Sequence, residues 1–275
     1  MALRALIVLC FVFALIVPAS TVSAEPIKVQ LRLVPGDSLH YTTVAHMAMG
    51  TTSTNSNPSQ TKVDYTMGML VTVEEVFPDG SARVREEIDQ VELAGLDAAE
   101  AEKTLGMQFT FTAHPDGSWT DFSSGDTSAA SFVGGGMLVG GNGTFPLEGM
   151  DVGQTRERTI PFPLLASGQT LDVPVRTSLE SLAVEDGRPA AKMKQAFNMP
   201  DTDAPVGPFG ATGSARVHVA GDASYSLDLT TGWPLRMGGV VGYGIALQGE
   251  GEQKANVDIN LEYALTLDQL TLSED

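Results

Sequence analysis

Apolar and polar residues alternate along much of this chain. From 255 to 267 seven apolar side chains occupy every second position, and most of the residues between them are polar. The stretches 61–76 and 223–229 repeat the pattern. Successive side chains of a β-strand point to opposite faces, so each stretch predicts a strand with one buried and one solvated face. That arrangement is typical of an antiparallel sheet.

Short turns that contain glycine separate the alternating stretches. Pro-Asp-Gly occurs at 78–80 and 115–117, Glu-Asp-Gly at 185–187 and Thr-Thr-Gly at 230–232. Glycine tolerates the positive φ that tight turns require, and each turn lies between two runs of strand-forming residues. The sequence therefore predicts a β-hairpin at each of these turns. A longer polar loop is expected at 55–60.

Helix signals are few. Residues 97–105 begin with a capping aspartate and continue with good helix formers, which predicts one short helix, and 127–139 is a second candidate. The predicted fold class is mostly β: an antiparallel curved sheet or half-open barrel with one or two short helices. Turns recur in similar order within 27–125 and 145–270, which fits two related halves, although such turns also arise independently in β proteins. No linker separates the halves, so 25–275 is expected to form a single domain.

The first 24 residues have the features of a secretory signal peptide. Arg4 precedes an apolar run at 5–17, and Val-Ser-Ala at 22–24 is a small-residue cleavage site. The run is shorter than the roughly 20 residues that a membrane-spanning helix needs, so 1–24 is expected to be removed and to leave no membrane-spanning segment. Removal also takes away Cys10, the only cysteine. An exported chain without cysteine favours a bacterial periplasmic or secreted location.

Charge narrows the range of partners. The chain has 34 acidic and 16 basic residues and a net charge of −18. This balance is unfavourable for binding nucleic acid or for docking on a membrane surface of anionic lipid head groups, both of which need clustered Lys and Arg. The acidic side chains are expected mainly on solvated faces, and neighbours such as Glu86 and Glu87 point to opposite faces of a strand, so they cannot act as an acid/base pair.

Several turn-and-strand motifs resemble those of a family of exported bacterial proteins. They are Leu-Arg-Leu-Val-Pro-Gly-Asp at 31–37, Thr-Met-Gly-Met at 66–69 and Asp-Leu-Thr-Thr-Gly-Trp-Pro-Leu at 228–235. Proteins of that family are β-rich and have no known function, so the resemblance implies a fold and an exported location but no reaction. The architecture also resembles the half-open barrels of periplasmic lipoprotein carriers, in which a curved sheet surrounds an apolar cavity.

Motifs for catalysis or cofactor binding are weak. Gly-Asp-Ser-Leu at 36–39 has the nucleophile sequence of GDSL-type esterases, whose mechanism needs a late histidine with a carboxylate three residues before it. The last histidine, His218, has Ala215 at that position. The glycine-rich stretch 134–143 contains no phosphate-binding motif, and no pair of histidines has metal-ligand spacing. We therefore expect no enzymatic activity, no cofactor and no metal site.

Methionine is the residue type most indicative of binding, because its side chain is flexible and polarizable and adapts to varied apolar partners. Several methionines share strand faces with each other or with an aromatic residue. The side chains predicted to contact an apolar ligand are Met47, Met49, Tyr65, Met67, Met69, Met193 and Phe197. The same residues are also typical of an ordinary core. His46 lies beside Met47, but neighbours on a strand point to opposite faces, which disfavours a Cu(I) site.

These observations favour a non-catalytic exported envelope protein that binds an apolar ligand, such as a lipid, or an acylated partner in a methionine-lined concavity. Two alternatives remain open. In the first, the protein has a structural or protein-interaction role without a ligand. In the second, the strands form an outer-membrane β-barrel, for which an aromatic content of 7% is low.

Overall fold

The computed structural model describes residues 25–53, 56–94, 98–124, 149–164, 169–205, 214–248 and 254–273. The predicted signal peptide, the second helix candidate and the glycine-rich stretch 134–143 lie outside these residues. The described strands are β1 (Ser38–Ser53), β2 (Ser56–Val76), β3 (Ala82–Ala94), β4 (Gln108–Ala113), β5 (Trp119–Ser124), β6 (Thr155–Leu164), β7 (Gln169–Glu185), β8 (Arg188–Pro205), β9 (Ser214–Asp228), β10 (Pro234–Gln248) and β11 (Lys254–Thr271). The helix predicted at 97–105 is present as α1 (Ala98–Thr104).

All described strands belong to one antiparallel sheet, with the order β5-β4-β3-β2-β1-β11-β10-β9-β8-β7-β6. Each half of this order is a meander in which consecutive strands are neighbours. The first strand, β1, pairs with the last strand, β11, over its whole length and joins the two meanders at the centre. Within the described residues β5 and β6 form the two edges and do not pair with each other, so the sheet is not closed. The predicted fold class is confirmed.

The hairpin turns occur where the sequence predicts them. Gly80, Gly117, Gly187 and Gly232 all have positive φ in the connections between consecutive strands. The loop predicted at 55–60 is wrong, because β2 begins at Ser56 and its first residues pair with the end of β1. Polar side chains are tolerated there because those described are exposed to water, while the backbone ladder continues.

The sheet curls so that one face, here called the inner face, is buried. Side chains from both meanders form one contiguous apolar cluster on this face. A flat single sheet would leave both faces in water, and α1, the one helix among the described residues, is only seven residues long and packs beside β3. The inner face is therefore buried chiefly because the sheet packs on itself.

An N-terminal strap, residues 25–37, crosses one end of the sheet. The Leu31 amide donates a hydrogen bond of 3.0 Å to the Pro115 carbonyl in the β4–β5 turn, and the Arg32 amide donates one of 2.7 Å to the Thr231 carbonyl in the β9–β10 turn. These turns belong to different meanders, so the strap connects the two halves. We call this end, which carries the four glycine turns, the closed end.

Trp233 fixes the strap against the β9–β10 turn. Its ring is buried, and the indole N–H donates a hydrogen bond of 3.1 Å to the Arg32 carbonyl. Gly232, with φ of +73°, lets the strap approach, because a Cβ at this position would overlap the carbonyl of Gln30. Glycine is needed here both for the backbone conformation and for the close contact.

Candidate functional site

Near the closed end the inner face is completely filled by side chains. Met69 and Leu39 are fully buried, Leu265 is 1% exposed and Met67 is 2% exposed. These residues come from three adjacent strands at the centre of the sheet. This part of the inner face is a conventional packed core.

Farther from the closed end the inner face carries large apolar side chains that are only partly buried. We call this set the half-buried band; it consists of Met47, Met49, Tyr65, Phe197, Tyr243, Ile245 and Leu261. Met47 lies opposite Leu261 in the β1–β11 ladder, and Met49 and Tyr243 both lie opposite Ile259 of β11. Residues paired across a ladder share a face, so the members on β1, β10 and β11 form a continuous apolar surface, with Tyr65 on β2 and Phe197 on β8 to either side.

The seven residues predicted to bind a ligand all lie on the inner face but fall into two groups. Met47, Met49, Tyr65 and Phe197 belong to the half-buried band. Met67, Met69 and Met193 are buried in the packed part of the inner face. Only the first group keeps apolar surface exposed for contact with a ligand.

Phe197 owes its position to a glycine on the next strand. It lies opposite Gly221 in the β8–β9 ladder, and a Cβ at Gly221 would come within 2.7 Å of the phenyl ring. The ring therefore occupies the space that a side chain on β9 would fill. The phenyl ring of Phe197 therefore keeps the inner face apolar at the position where β9 has a glycine and no side chain.

Three tyrosines lie close together on the inner face of the central strands. Burial raises the pKa of Tyr65 and of Tyr263 to about 12. The pKa of Tyr243 is also raised, first by burial and then by its neighbours Tyr263 and Tyr65. All three hydroxyl groups are therefore neutral at physiological pH.

A cluster of polar residues lies on the inner face of the second meander. We call it the arginine patch; it consists of Arg156, Arg158, Thr177, Gln195 and Tyr225. The Tyr225 hydroxyl donates a hydrogen bond of 2.6 Å to Gln195 Oε1, and Gln195 Nε2 donates one of 3.3 Å to Thr177 Oγ1. Burial raises the pKa of Tyr225 strongly, and Arg158 is near enough to act in the opposite direction.

The two arginines of the patch lie on the inner face because side chains on β6 alternate between the two faces of the sheet. Arg156 and Arg158 are partly buried, whereas Glu157 between them is exposed and forms an ion pair of 2.6 Å with Arg176 on the outer face. Arg156 lies opposite Thr177, and Arg158 lies opposite Val175. The sequence analysis missed this patch, although the order Arg-Glu-Arg on a strand places both arginines on one face.

Glu86 is a second polar group within the inner face. It lies between Val71 on β2 and Phe109 on β4, and all three side chains are buried. Neither carboxyl oxygen has a hydrogen-bond partner among the described residues. Burial raises the pKa of Glu86 to about 8. Glu86 is an exception to the solvated position expected for acidic side chains in general, because it shares the buried face of Val84 on β3. Glu87 points to the opposite face, as the alternation predicts.

The Gly-Asp-Ser-Leu segment forms the entry into β1. Gly36 has φ of +89°, and Asp37 is buried, where its Oδ1 accepts a hydrogen bond of 2.8 Å from the Ser273 amide. Asp37 Oδ2 also lies 3.5 Å from Arg32 Nε. These contacts tie the strap, β1 and the residues after β11 together, which gives the buried Asp37 of the motif a structural role.

The histidines of β1 lie on the outer face. His40 Nε2 is 3.0 Å from an Asp89 oxygen, and its Nδ1 is 3.3 Å from Asp268 Oδ2. His46 Nδ1 is 2.8 Å from Asp64 Oδ1, a hydrogen bond that raises the pKa of His46. On the wet side of the sheet the pairs with Asp64 and Asp268 join β1 to its neighbours β2 and β11, and the pair with Asp89 reaches across β2 to β3.

The described residues contain neither a metal-ligand cluster nor a membrane-spanning helix. In that part of the chain, His, Cys, Asp and Glu side chains do not gather in groups of three or more that could hold a metal ion. Nor does any described helix have the length and apolar character to cross a membrane.

A solved structure of another protein has a fold similar to that of this chain. Neither a protein-family model nor a curated protein matches the chain. A structure that reports lipid–protein interactions in lipovitellin matches 89% of this chain at 12% identity, with a TM-score of 0.53. The match covers 26% of the lipovitellin chain, so the present chain spans about a quarter of its length. At this identity the likeness concerns the fold alone.

A second match is to a Bacteroides fragilis protein with a YmcC-like fold that is assigned as exported. It covers 89% of this chain and 100% of the other at 8% identity. Its TM-score is 0.23, which is too low to support a structural conclusion.

Proposed function

We propose that this chain is an exported, non-catalytic protein that binds an apolar ligand, a lipid or the acyl chain of a partner, against the half-buried band. The proposal rests on one observation: the large apolar side chains of the band remain partly exposed on the inner face of a curled sheet. A ligand that removes their remaining surface from water gains about 25 cal/mol for each Å² covered. Concave apolar surfaces beside a packed core are the usual location of such ligands.

Three further features support the proposal. Lipovitellin, whose fold this chain resembles, is described for its lipid–protein interactions. Met47 and Met49 contribute side chains that can adapt to acyl chains of different shape. The signal-peptide features of 1–24 support export, and the absence of cysteine from 25–275 supports a bacterial envelope or secreted location.

A structural or protein-interaction role without a ligand is the second candidate. The complete burial of Met69 and the near-complete burial of Met67 favour it, because they show how well this sheet fills its own interior. The two candidates differ in the half-buried band. A ligand-binding protein needs that surface to be accessible, whereas a structural protein needs only the packed part.

Two double variants on the inner face distinguish these candidates. The first, Met47→Ala with Met49→Ala, shortens two side chains of the half-buried band. The second, Met67→Ala with Met69→Ala, shortens two side chains of the packed part of the inner face and is the matched control. The first pair should weaken uptake of an environment-sensitive fatty-acid probe with little loss of stability. The second pair should lower the free energy of unfolding by about 2–5 kcal/mol for each residue, because fully surrounded atoms are lost. Probe fluorescence and urea unfolding measure the two effects.

Uptake of the apolar probe by the unsubstituted protein decides between the two candidate functions. If this protein takes up no apolar probe, the ligand-binding function is rejected and the structural role is favoured. If it takes up the probe and the Met47 and Met49 variant retains full affinity, binding occurs elsewhere and the half-buried band is not the site.

A further inference from the structure

We propose that the ligand of the half-buried band is a long-chain carboxylate, and that the arginine patch binds its ionised head group. This inference rests on the proposed function, because it names the chemical class of the ligand that the band would hold. It is carried by the presence of two guanidinium groups on a face that is otherwise mainly apolar.

The patch combines cations with hydrogen-bonding groups of fixed position. Arg156 and Arg158 are two residues apart on β6, so their side chains leave the strand on the same side, and both are partly buried. Thr177, Gln195 and Tyr225 form a hydrogen-bonded chain next to them. A planar guanidinium matches a carboxylate geometrically, since it can donate two parallel N–H bonds to the two oxygens.

Burial makes this patch different from arginines on the outer face. Arg176, on the neighbouring strand, is largely exposed and is paired with Glu157. A cation on the inner face has less water around it, so its interaction with an anion is less screened. Arg156 also donates a hydrogen bond of 3.3 Å to the Gly149 carbonyl, which helps to place its guanidinium.

The register of the sheet leads from the patch to the half-buried band. Arg158 lies opposite Val175, and Val175 lies opposite Phe197, a member of the band. Adjacent strands are about 4.8 Å apart, so the backbones of Arg158 and Phe197 are about 10 Å apart, with the buried side chain of Val175 between them. An acyl chain with its carboxylate at Arg158 would therefore pass Val175 on the inner face to reach Phe197 and the central strands.

The test compares two ligands that differ only in head-group charge. Fluorescence titration with cis-parinaric acid and with its methyl ester measures the affinity of the parent protein for each at neutral pH. We expect the acid to bind about tenfold more tightly than the ester, the effect of one charge-assisted hydrogen-bonded contact. Equal affinities would overturn the carboxylate assignment and leave the proposed apolar function intact. Binding of neither ligand would overturn both.

Variants then locate the preference on the protein. Arg158→Gln and Arg156→Gln should each reduce the preference for the acid while leaving the affinity for the ester unchanged. Arg158→Lys keeps the charge but loses the two parallel N–H bonds, so it should retain only part of the preference. Arg156→Gln provides the test if Arg158→Gln fails to fold. Arg176→Gln removes a cation from the outer face and should change neither affinity. A preference that persists in both arginine variants would show that the head group binds elsewhere.

Discussion

Glu86 places a carboxyl group among side chains that are otherwise apolar on three adjacent strands. Val71, Phe109 and Val84 surround it on the inner face, and its exposed fraction is 0%. The neutral acid is favoured there because an ionised carboxylate without a partner is costly to bury. Its raised pKa of about 8, compared with an ordinary value of 4.5, makes the stability of the fold depend on pH.

The direction of that dependence follows from proton binding. Between about pH 4.5 and 8 the folded protein holds a proton on Glu86 that the unfolded chain releases. The contribution of Glu86 to the free energy of unfolding should therefore be greatest below pH 4.5. It should fall by up to about 1.4 kcal/mol for each pH unit between pH 4.5 and 8, and level off above pH 8. Glu86→Gln should remove this slope in urea unfolding measured from about pH 5 to pH 8. Glu92→Gln, at an exposed position of the same strand, should keep it; the same slope in both variants would contradict the assignment.

At the scale of elements, alternation predicts most strands of this fold because one face of the sheet is buried and the other is wet. The alternation gives the wrong environment for a charged residue that lies on the buried face. Glu86 has the position of a core residue, and Arg156 and Arg158 place cations on the inner face. Composition and spacing assign such residues to the surface by their charge. Their burial depends on how far the sheet curls, and no local pattern encodes that.

Strand β11 offers a direct test of register, since it occupies the centre of the sheet. Leu265 points into the packed part of the inner face, and Asn260 is exposed on the outer face. Leu265→Asp would bury a carboxylate among apolar groups and should lower the free energy of unfolding by several kcal/mol, which is a large part of the stability of most domains. Asn260→Asp should change it little. Similar shifts in thermal midpoint for both variants would show that the register is wrong.

At the scale of the molecule, the chain joins its two meanders in two places. The β1–β11 ladder joins them along the centre of the sheet, and the strap joins the β4–β5 turn to the β9–β10 turn at the closed end. The sequence does not predict that the first and last strands are neighbours, because hairpin turns specify only pairs that are consecutive in the chain. The strap explains how an unclosed sheet maintains its curl at one end while the half-buried band stays accessible farther along.

The contribution of the strap can be measured at Gly232. In Gly232→Ala the new Cβ would overlap the Gln30 carbonyl and would also force an alanine into positive φ. Gly153→Ala is the matched control, since Gly153 has φ of +84° but nothing lies within 4 Å of its ideal Cβ. Gly153→Ala should cost only the roughly 1–2 kcal/mol of the backbone conformation. Gly232→Ala should cost clearly more and should loosen the strap, so that trypsin cleaves it faster at Lys28 and Arg32 in limited proteolysis of the folded protein. Equal losses of stability, with the strap equally protected from trypsin, would mean that the strap does not hold the two meanders together.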